Sequence, residues 1–396
     1  MQGNPMNFLD KNSNTNIIIA GILALIVGVG VARFVFTSLL PSMLEERLTL
    51  TFAGVLASVN FAGYLSGSIF AIFIKDMQTK VRWFRLGLIV AILTTLILAT
   101  TTHDIVWFIS RIIAGFAAAM ALVVGSAIVM SKLKFEDKTK AMGIHFSGIG
   151  FSIAVCDIVT RIVFANSGSW QDAWMVLTLF GAVIVWYPLY ILDFDKNQTT
   201  HTQKHHIDKS IFSVFVIVLI AAYFTEGVGF VIQGTFLPDI INSIEGLEGF
   251  GSVTWLIVGI SGIFSCIIWM RLAARFGYVN IIIIAMAIQA VGVLIPTMTA
   301  NPLLIILSGV FYGGTFVGLV ALFMSLGGKL AGNNPVILMG ALTTAYGIGQ
   351  VIAPLYAVVL TDWSGNYNYA LYVTAAIILS GIALLLGAKK ILKVKY

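Results

Sequence analysis

IIIAGILALIVGVGVARFVFTSLLPSML, residues 17–44, decides the fold. About 20 apolar residues carry a helix across a bilayer core, and this run exceeds that length with a single charge, Arg33, near its middle. Comparable runs follow at 52–74, 84–102, 105–131, 141–165 and 171–192, then at 210–241, 251–273, 278–299, 303–328, 335–360 and 368–388. The sequence therefore predicts an all-α membrane protein with twelve transmembrane helices.

Composition points the same way. Of 396 residues, 59% are hydrophobic and only 10% charged, whereas a soluble domain keeps roughly a quarter of its residues charged. Cys156 and Cys266 both fall inside apolar runs, where neither a disulfide framework nor a C-x-x-C zinc spacing arises. No cofactor is implied. Residues 1–16 are polar and Asn-rich and lack the parts of a secretory signal, so they are expected to stay in place as a tail.

Twelve spans put both termini on one side. Placing that side in the cytoplasm assigns 19 of the 23 Lys and Arg residues to cytoplasmic segments and leaves only Arg47 outside. This is the asymmetry of a bacterial inner-membrane protein. The net charge of +6 is then mostly that bias. Spread over several short loops, it does not form a face for nucleic acid.

The halves repeat. FTSLLP ending at Pro41 matches QGTFLP ending at Pro238, Ser110 to Gly115 matches Ser308 to Gly313, and SGIG at Ser147 matches YGIG at Tyr346, all at offsets of 197 to 199. A constant offset across three helix pairs is what duplication of a six-helix unit leaves. The expected organisation is a tail at 1–16, a six-helix half at 17–192, a cytoplasmic linker at 193–209, a second half at 210–388 and a basic tail at 389–396. His201, His205 and His206 in the linker read as part of a solvated connector, not as a metal site.

Charge inside a membrane span costs about 2.5 to 3.5 kcal/mol at the helix centre, so each one needs a partner, a wet cavity or a function. Asp157 and Arg161 share a helix face four residues apart. They form either a static pair, which Arg111 could join, or a proton-titrating group whose partner changes with conformation. Arg33 and Glu226 occupy symmetry-related helices and are expected to face one cavity. Arg33 offers a planar fork for a carboxylate, phosphate or sulfonate, and Glu226 is the leading proton-coupling candidate. A plain Arg33–Glu226 latch is the competing reading.

Thr37, Asn60, Gln233, Tyr312, Tyr346 and Gln350, with the aromatic Tyr223, Phe230 and Trp255, are the remaining candidates to line a substrate site. Ordinary helix packing also explains such residues. His145 near one end of the fifth span reads as a local hydrogen-bonding group.

The strings at 28–43, 57–68, 223–238 and 347–357, above all A-R-F-x-x-T-x-L-L-P from Ala32 to Pro41, resemble the YbfB/YjiJ-type branch of the major facilitator superfamily. That resemblance covers nearly the whole chain and implies two pseudo-symmetric six-helix halves with alternating access. Arg111 with Gly115 matches an R-x-x-x-G element of many proton-coupled members. The loop at 67–82 (GSIFAIFIKDMQTKVR) follows the superfamily pattern only loosely, and SGIGFSIAVCD at 147–157 lacks the Gly-Pro motif of drug/proton antiporters.

The expected function is secondary transport of a small solute. Arg33 would hold an organic anion and Glu226 would couple to protons, supported by Asp157, Arg111 and Arg161. The coupling ion is read as a proton, with sodium left open, and the working unit as a monomer. An exporter of amphipathic or cationic compounds is the alternative, and a non-transporting membrane sensor is the reading from another class. An enzyme is not expected, because no nucleophile or acid/base constellation is present, and no G-x-x-x-x-G-K-[ST] signature suggests direct use of ATP.

Overall fold

The computed structural model describes residues 9–134, 138–193, 213–330 and 335–392. Twelve helices in it are long and apolar enough to cross a membrane. They are α1 (Asn14–Glu46), α2 (Leu50–Phe73), α3 (Met77–Thr100), α4 (Asp104–Lys132), α5 (Ala141–Ala165), α6 (Trp170–Ile191), α7 (Val214–Asn242), α8 (Phe250–Phe276), α9 (Tyr278–Thr297), α10 (Pro302–Leu330), α11 (Leu338–Ser364) and α12 (Asn368–Ile391). Helices are forced here because no water in the lipid core can satisfy a free backbone group. The face at which α1 begins and α12 ends is called the near face below, and the opposite one the far face. The linker histidines lie outside the described residues.

Local chemistry sets the helix ends. Ser213 caps α7 by accepting from the Val216 N–H, so the helix begins a few residues later than its hydropathy suggested. Ser169 and Asp172 form a reciprocal capping box at the start of α6. In the α2–α3 loop Asp76 accepts the Thr79 N–H at 2.7 Å and caps α3. That bond holds the Asp76 carboxyl below the usual carboxylate range.

The sequence repeat recurs as geometry. Ser110 on α4 donates to the Thr94 carbonyl on α3, and Ser308 on α10 donates to the Gly292 carbonyl on α9, both ends shifted by 198 residues. A Cβ on Gly115 would run into the Asn60 carbonyl, and one on Gly313 into the Val258 carbonyl, again shifted by 198 at both ends. Two copies of one six-helix unit pack by the same contacts.

Across the seam between the halves, α2 lies on α11 and α5 on α8. Small residues let the backbones approach closely there: Gly150 abuts Gly262 and Ile263, and Gly259 abuts Ala154. Toward the far face the seam is sealed. Thr37 donates to the Gly234 carbonyl at 2.7 Å, Phe34 meets Trp255 with ring centroids 6.1 Å apart, and Thr51 donates to Asp362 at 2.8 Å.

Candidate functional site

Toward the near face the halves part around a cavity of about 350 Å³. Its walls are the near halves of α2, α4 and α5 from one repeat and of α7, α10 and α11 from the other. Tyr64, Tyr223 and Tyr346 lie at its deep end, while Ile72, Met339 and Gly340 line it near the face. With the far seam closed, the cavity is directed to one side only.

Beyond Tyr64 lies Arg33. Its guanidinium carbon sits 4.3 Å from the centroid of the Phe61 ring, 4.9 Å from that of Tyr64 and 5.8 Å from that of Phe230, so both halves supply rings around it. Stacking on π faces offsets part of the cost of burial. Only 7% of the residue is exposed, and its Nε and Nη2 have no acceptor. Arg111 lines the same small void as Arg33, together with Asn60 and Thr37. It donates Nη1 to the Ala32 carbonyl at 3.0 Å, lies 4.7 Å from the Phe36 centroid and leaves Nε unpartnered. Among the described residues, neither arginine has a carboxylate within ion-pair distance. Two buried cations with free N–H groups thus line one void.

Two sequence expectations are corrected by the structure. Arg33 and Glu226 neither pair nor face one cavity. Gly227 presses against the α11 backbone at Tyr346, and Glu226, about 100° round the helix, turns instead into the second half. There its Oε1 accepts from Gln289 Nε2 on α9 at 3.0 Å, and Glu226 Oε2 and Gln289 Oε1 are both left without partners. Nor does Arg111 join Asp157 and Arg161, since its Nη1 goes to α1. Asp157 and Arg161 form the intrahelical pair, Nε to Oδ2 at 2.7 Å, with Asp157 only 1% exposed.

Of the other candidates, Tyr223 and Tyr346 line the cavity, and Phe230 stands between Arg33 and Tyr346. Tyr312 donates to the Phe230 carbonyl at 2.7 Å, and its ring backs the same layer. Thr37 and Asn60 line the void: Thr37 bonds across the seam, and Asn60 donates to the Arg111 carbonyl. Gln233 is engaged inside the second half with the Gly292 carbonyl. Gln350 is buried one turn beyond Tyr346, and Trp255 belongs to the far seal. His145 shares a 2.8 Å bond with Ser126, whose other side lines the cavity.

Sequence reasoning missed three features. Gln289, an amide in an apolar helix, carried no motif. Tyr64 was quoted within a family string but not selected. The third is a pair of π-helical stretches, Ile26–Phe34 in α1 and Met120–Val124 in α4, which meet where Gly28 lies against Ala121. Such widened turns recur at functional sites, and here one of them carries Arg33.

Twelve membrane helices in two repeated halves, enclosing a cavity directed to one face, define a non-enzymatic secondary transporter of the major facilitator fold. The chain belongs to the family described as "Uncharacterised MFS-type transporter YbfB", whose profile matches residues 25–386. It is similar in fold to the crystal structure of a mutant of the nucleoside transporter NupG, with a TM-score of 0.73 over 94% of this chain and 99% of that one. At 12% identity that likeness concerns the fold alone.

Proposed function

We propose that the protein is a proton-coupled secondary transporter of a small organic anion, working as a monomer in a bacterial inner membrane. The observation that carries this reading is the pair Arg33 and Arg111, both buried and lining one void, with unpartnered N–H groups and, among the described residues, no carboxylate at ion-pair distance. An arginine buried in this way costs several kcal/mol unless a ligand repays it. An anion entering from the cavity past Tyr64 supplies the missing charge.

Glu226 is the proposed proton carrier. A carboxylate shut in an apolar environment without a cation is costly, and the acid form offers a remedy. If it donates to the Gln289 carbonyl while Gln289 Nε2 donates back, both unpartnered oxygens are satisfied in a closed two-bond ring. Glu226 lies behind the aromatic layer that faces Arg33, so anion arrival and proton release can bias the same wall. The near face is read as cytoplasmic, because the segments that the sequence assigns to the cytoplasm carry 19 of the 23 Lys and Arg residues. Export of cations is disfavoured, since among the described residues no Asp or Glu lines the cavity and Asp157 is already paired.

The test is proton flux in proteoliposomes with an entrapped pH dye and a panel of organic anions, cationic drugs and uncharged solutes. Flux triggered by anions and lost in Arg33→Gln and Glu226→Gln supports the reading. Flux triggered by cations alone and indifferent to Arg33→Gln overturns it.

A further inference from the structure

Resting on the anion reading above, the walls of the cavity say what carries the charge. We infer that the transported solute is an aromatic anion, a one- or two-ring body bearing its charge on a single acidic group.

The second half presents a continuous layer of nearly parallel rings. Tyr223 stacks on Tyr346 with centroids 4.5 Å apart at 17°, and on its other side on Phe323 at 4.6 Å and 22°. Phe230 and Tyr312 extend the layer through Phe316, each 5.3 Å from it. The first half sets Tyr64 at the cavity's deep end, with the Arg33 guanidinium over its ring. Of this layer Tyr223 and Tyr346 reach the cavity, their faces covered by the stack, so with Tyr64 and Phe146 they offer ring edges to a flat solute entering from the near face, and Arg33 lies behind Tyr64. Edge-to-face contact with such a wall favours a ring over a saturated body of equal size.

The rest of the lining excludes other classes. Apart from the three tyrosines, its polar groups are the hydroxyls of Ser68, Ser126, Thr343 and Thr344. Among the described residues no Lys, Arg, Asp or Glu lines the cavity, so a second charge on the solute's body, away from the Arg33 and Arg111 end, would have no counter-ion there. A polyhydroxylated body such as a sugar or nucleoside would leave several donors unpaired against Ile, Val and Met, which is costly. The volume of about 350 Å³ is at the small end for ligand cavities and suits one or two rings.

The test uses the purified full chain in proteoliposomes and measures counterflow with sulfonates, which stay charged at neutral pH and cannot leak across lipid as neutral acids. The panel is 2-naphthalenesulfonate, benzenesulfonate, cyclohexanesulfonate, phenyl phosphate, succinate and uridine. The expected result is an apparent affinity for benzenesulfonate about tenfold above that for cyclohexanesulfonate, with phenyl phosphate ranked among the aromatic anions and weaker exchange of succinate, whose two charges lie at opposite ends. In Tyr346→Leu the ring preference should fall below about threefold. Direct binding of 2-naphthalenesulfonate to the unaltered protein, followed by its own fluorescence, gives a readout that needs no variant. Equal affinity for the aromatic and saturated sulfonates, or preference for succinate, would overturn the inference while leaving anion transport standing. Exchange of uridine with no anion exchanged would remove the anion reading itself.

Discussion

The guanidinium of Arg33 lies 4.3 Å from the centroid of the Phe61 ring, and two of its nitrogens have no acceptor. Rings can cradle a cation but cannot accept its N–H bonds as an oxyanion does. On the proposed anion reading, an oxyanion would accept those bonds.

From this follows a split between stability and function. Arg33→Gln should weaken anion binding by about 2–5 kcal/mol, roughly 30-fold to several thousand-fold in apparent affinity. The same change should leave the melting temperature equal or higher, because it removes a buried cation that nothing pairs. Arg33→Lys should restore only part of the affinity, since a point charge lacks the planar fork. Anion binding by isothermal calorimetry and thermal unfolding in detergent measure the two sides. A variant that loses both binding and stability would mark Arg33 as a packing residue.

Asp157 and Arg161 should behave in the opposite way. Asp157 is buried and Arg161 partly exposed, so Asp157→Asn strands a cation at the membrane boundary and should cost about 1–3 kcal/mol after allowance for solvent screening. The double variant Asp157→Asn with Arg161→Gln should recover most of that stability, with proton flux close to native. If the double variant is stable but carries no protons, Asp157 takes part in coupling after all.

Helix packing gives a test of the repeat. Gly115 and Gly313 face carbonyls in equivalent places, so Gly115→Ala and Gly313→Ala should each destabilise the protein by about 1–3 kcal/mol through overpacking. Gly314 beside the second of these has open space around its Cβ position, and Gly314→Ala should be tolerated. Detergent melting curves of the three variants compare them directly. Equal behaviour of Gly313→Ala and Gly314→Ala would contradict the packing described.

What could be read beforehand depended on the physics behind each feature. The twelve spans were legible because bilayer thickness imposes a length and an apolar composition on every one of them. The repeat was legible because duplicated contacts such as those of Ser110 and Ser308 keep their residues. Arg33 stood out through the cost of its charge. The direction in which Glu226 points was not legible: it depends on the helical rotation set by Gly227 against Tyr346, and the sequence alone holds no record of that. Gln289 carries no charge and sits among Ile, Ala and Val, so no cost marked it. The parallel alignment of Tyr223, Tyr346 and Phe323 unites residues from three helices, and the π-helical turns depend on tertiary packing at Gly28.

Outside the membrane, Asp76 provides a pH test. Accepting the Thr79 N–H depresses its carboxyl in the folded protein. A carboxyl depressed by folding contributes stability that is present above its unfolded value and lost as pH falls through its folded value. Asp76→Ala should therefore lower the melting temperature at pH 7, and the gap from the native protein should close below about pH 4. A gap unchanged between pH 7 and pH 3 would show that the charge on this cap contributes nothing.

Glu226 and Gln289 offer the sharpest separation of coupling from transport. Glu226→Gln keeps an amide partner for Gln289 but carries no exchangeable proton, so anion counterflow should continue while proton flux falls to background. Gln289→Leu removes the only hydrogen-bond partner that Glu226 has among the described residues, leaves the carboxyl stranded and should cost about 1–3 kcal/mol of stability. Gln289→Glu would place two carboxyls in one dry site, where a single shared proton suffices to bind them, and should shift the pH dependence of proton flux while preserving counterflow. Measuring flux and counterflow on the same liposomes distinguishes the outcomes. If Glu226→Gln still moves protons with the anion, the coupling group lies elsewhere, and the Glu226–Gln289 contact is a structural bond of the second half.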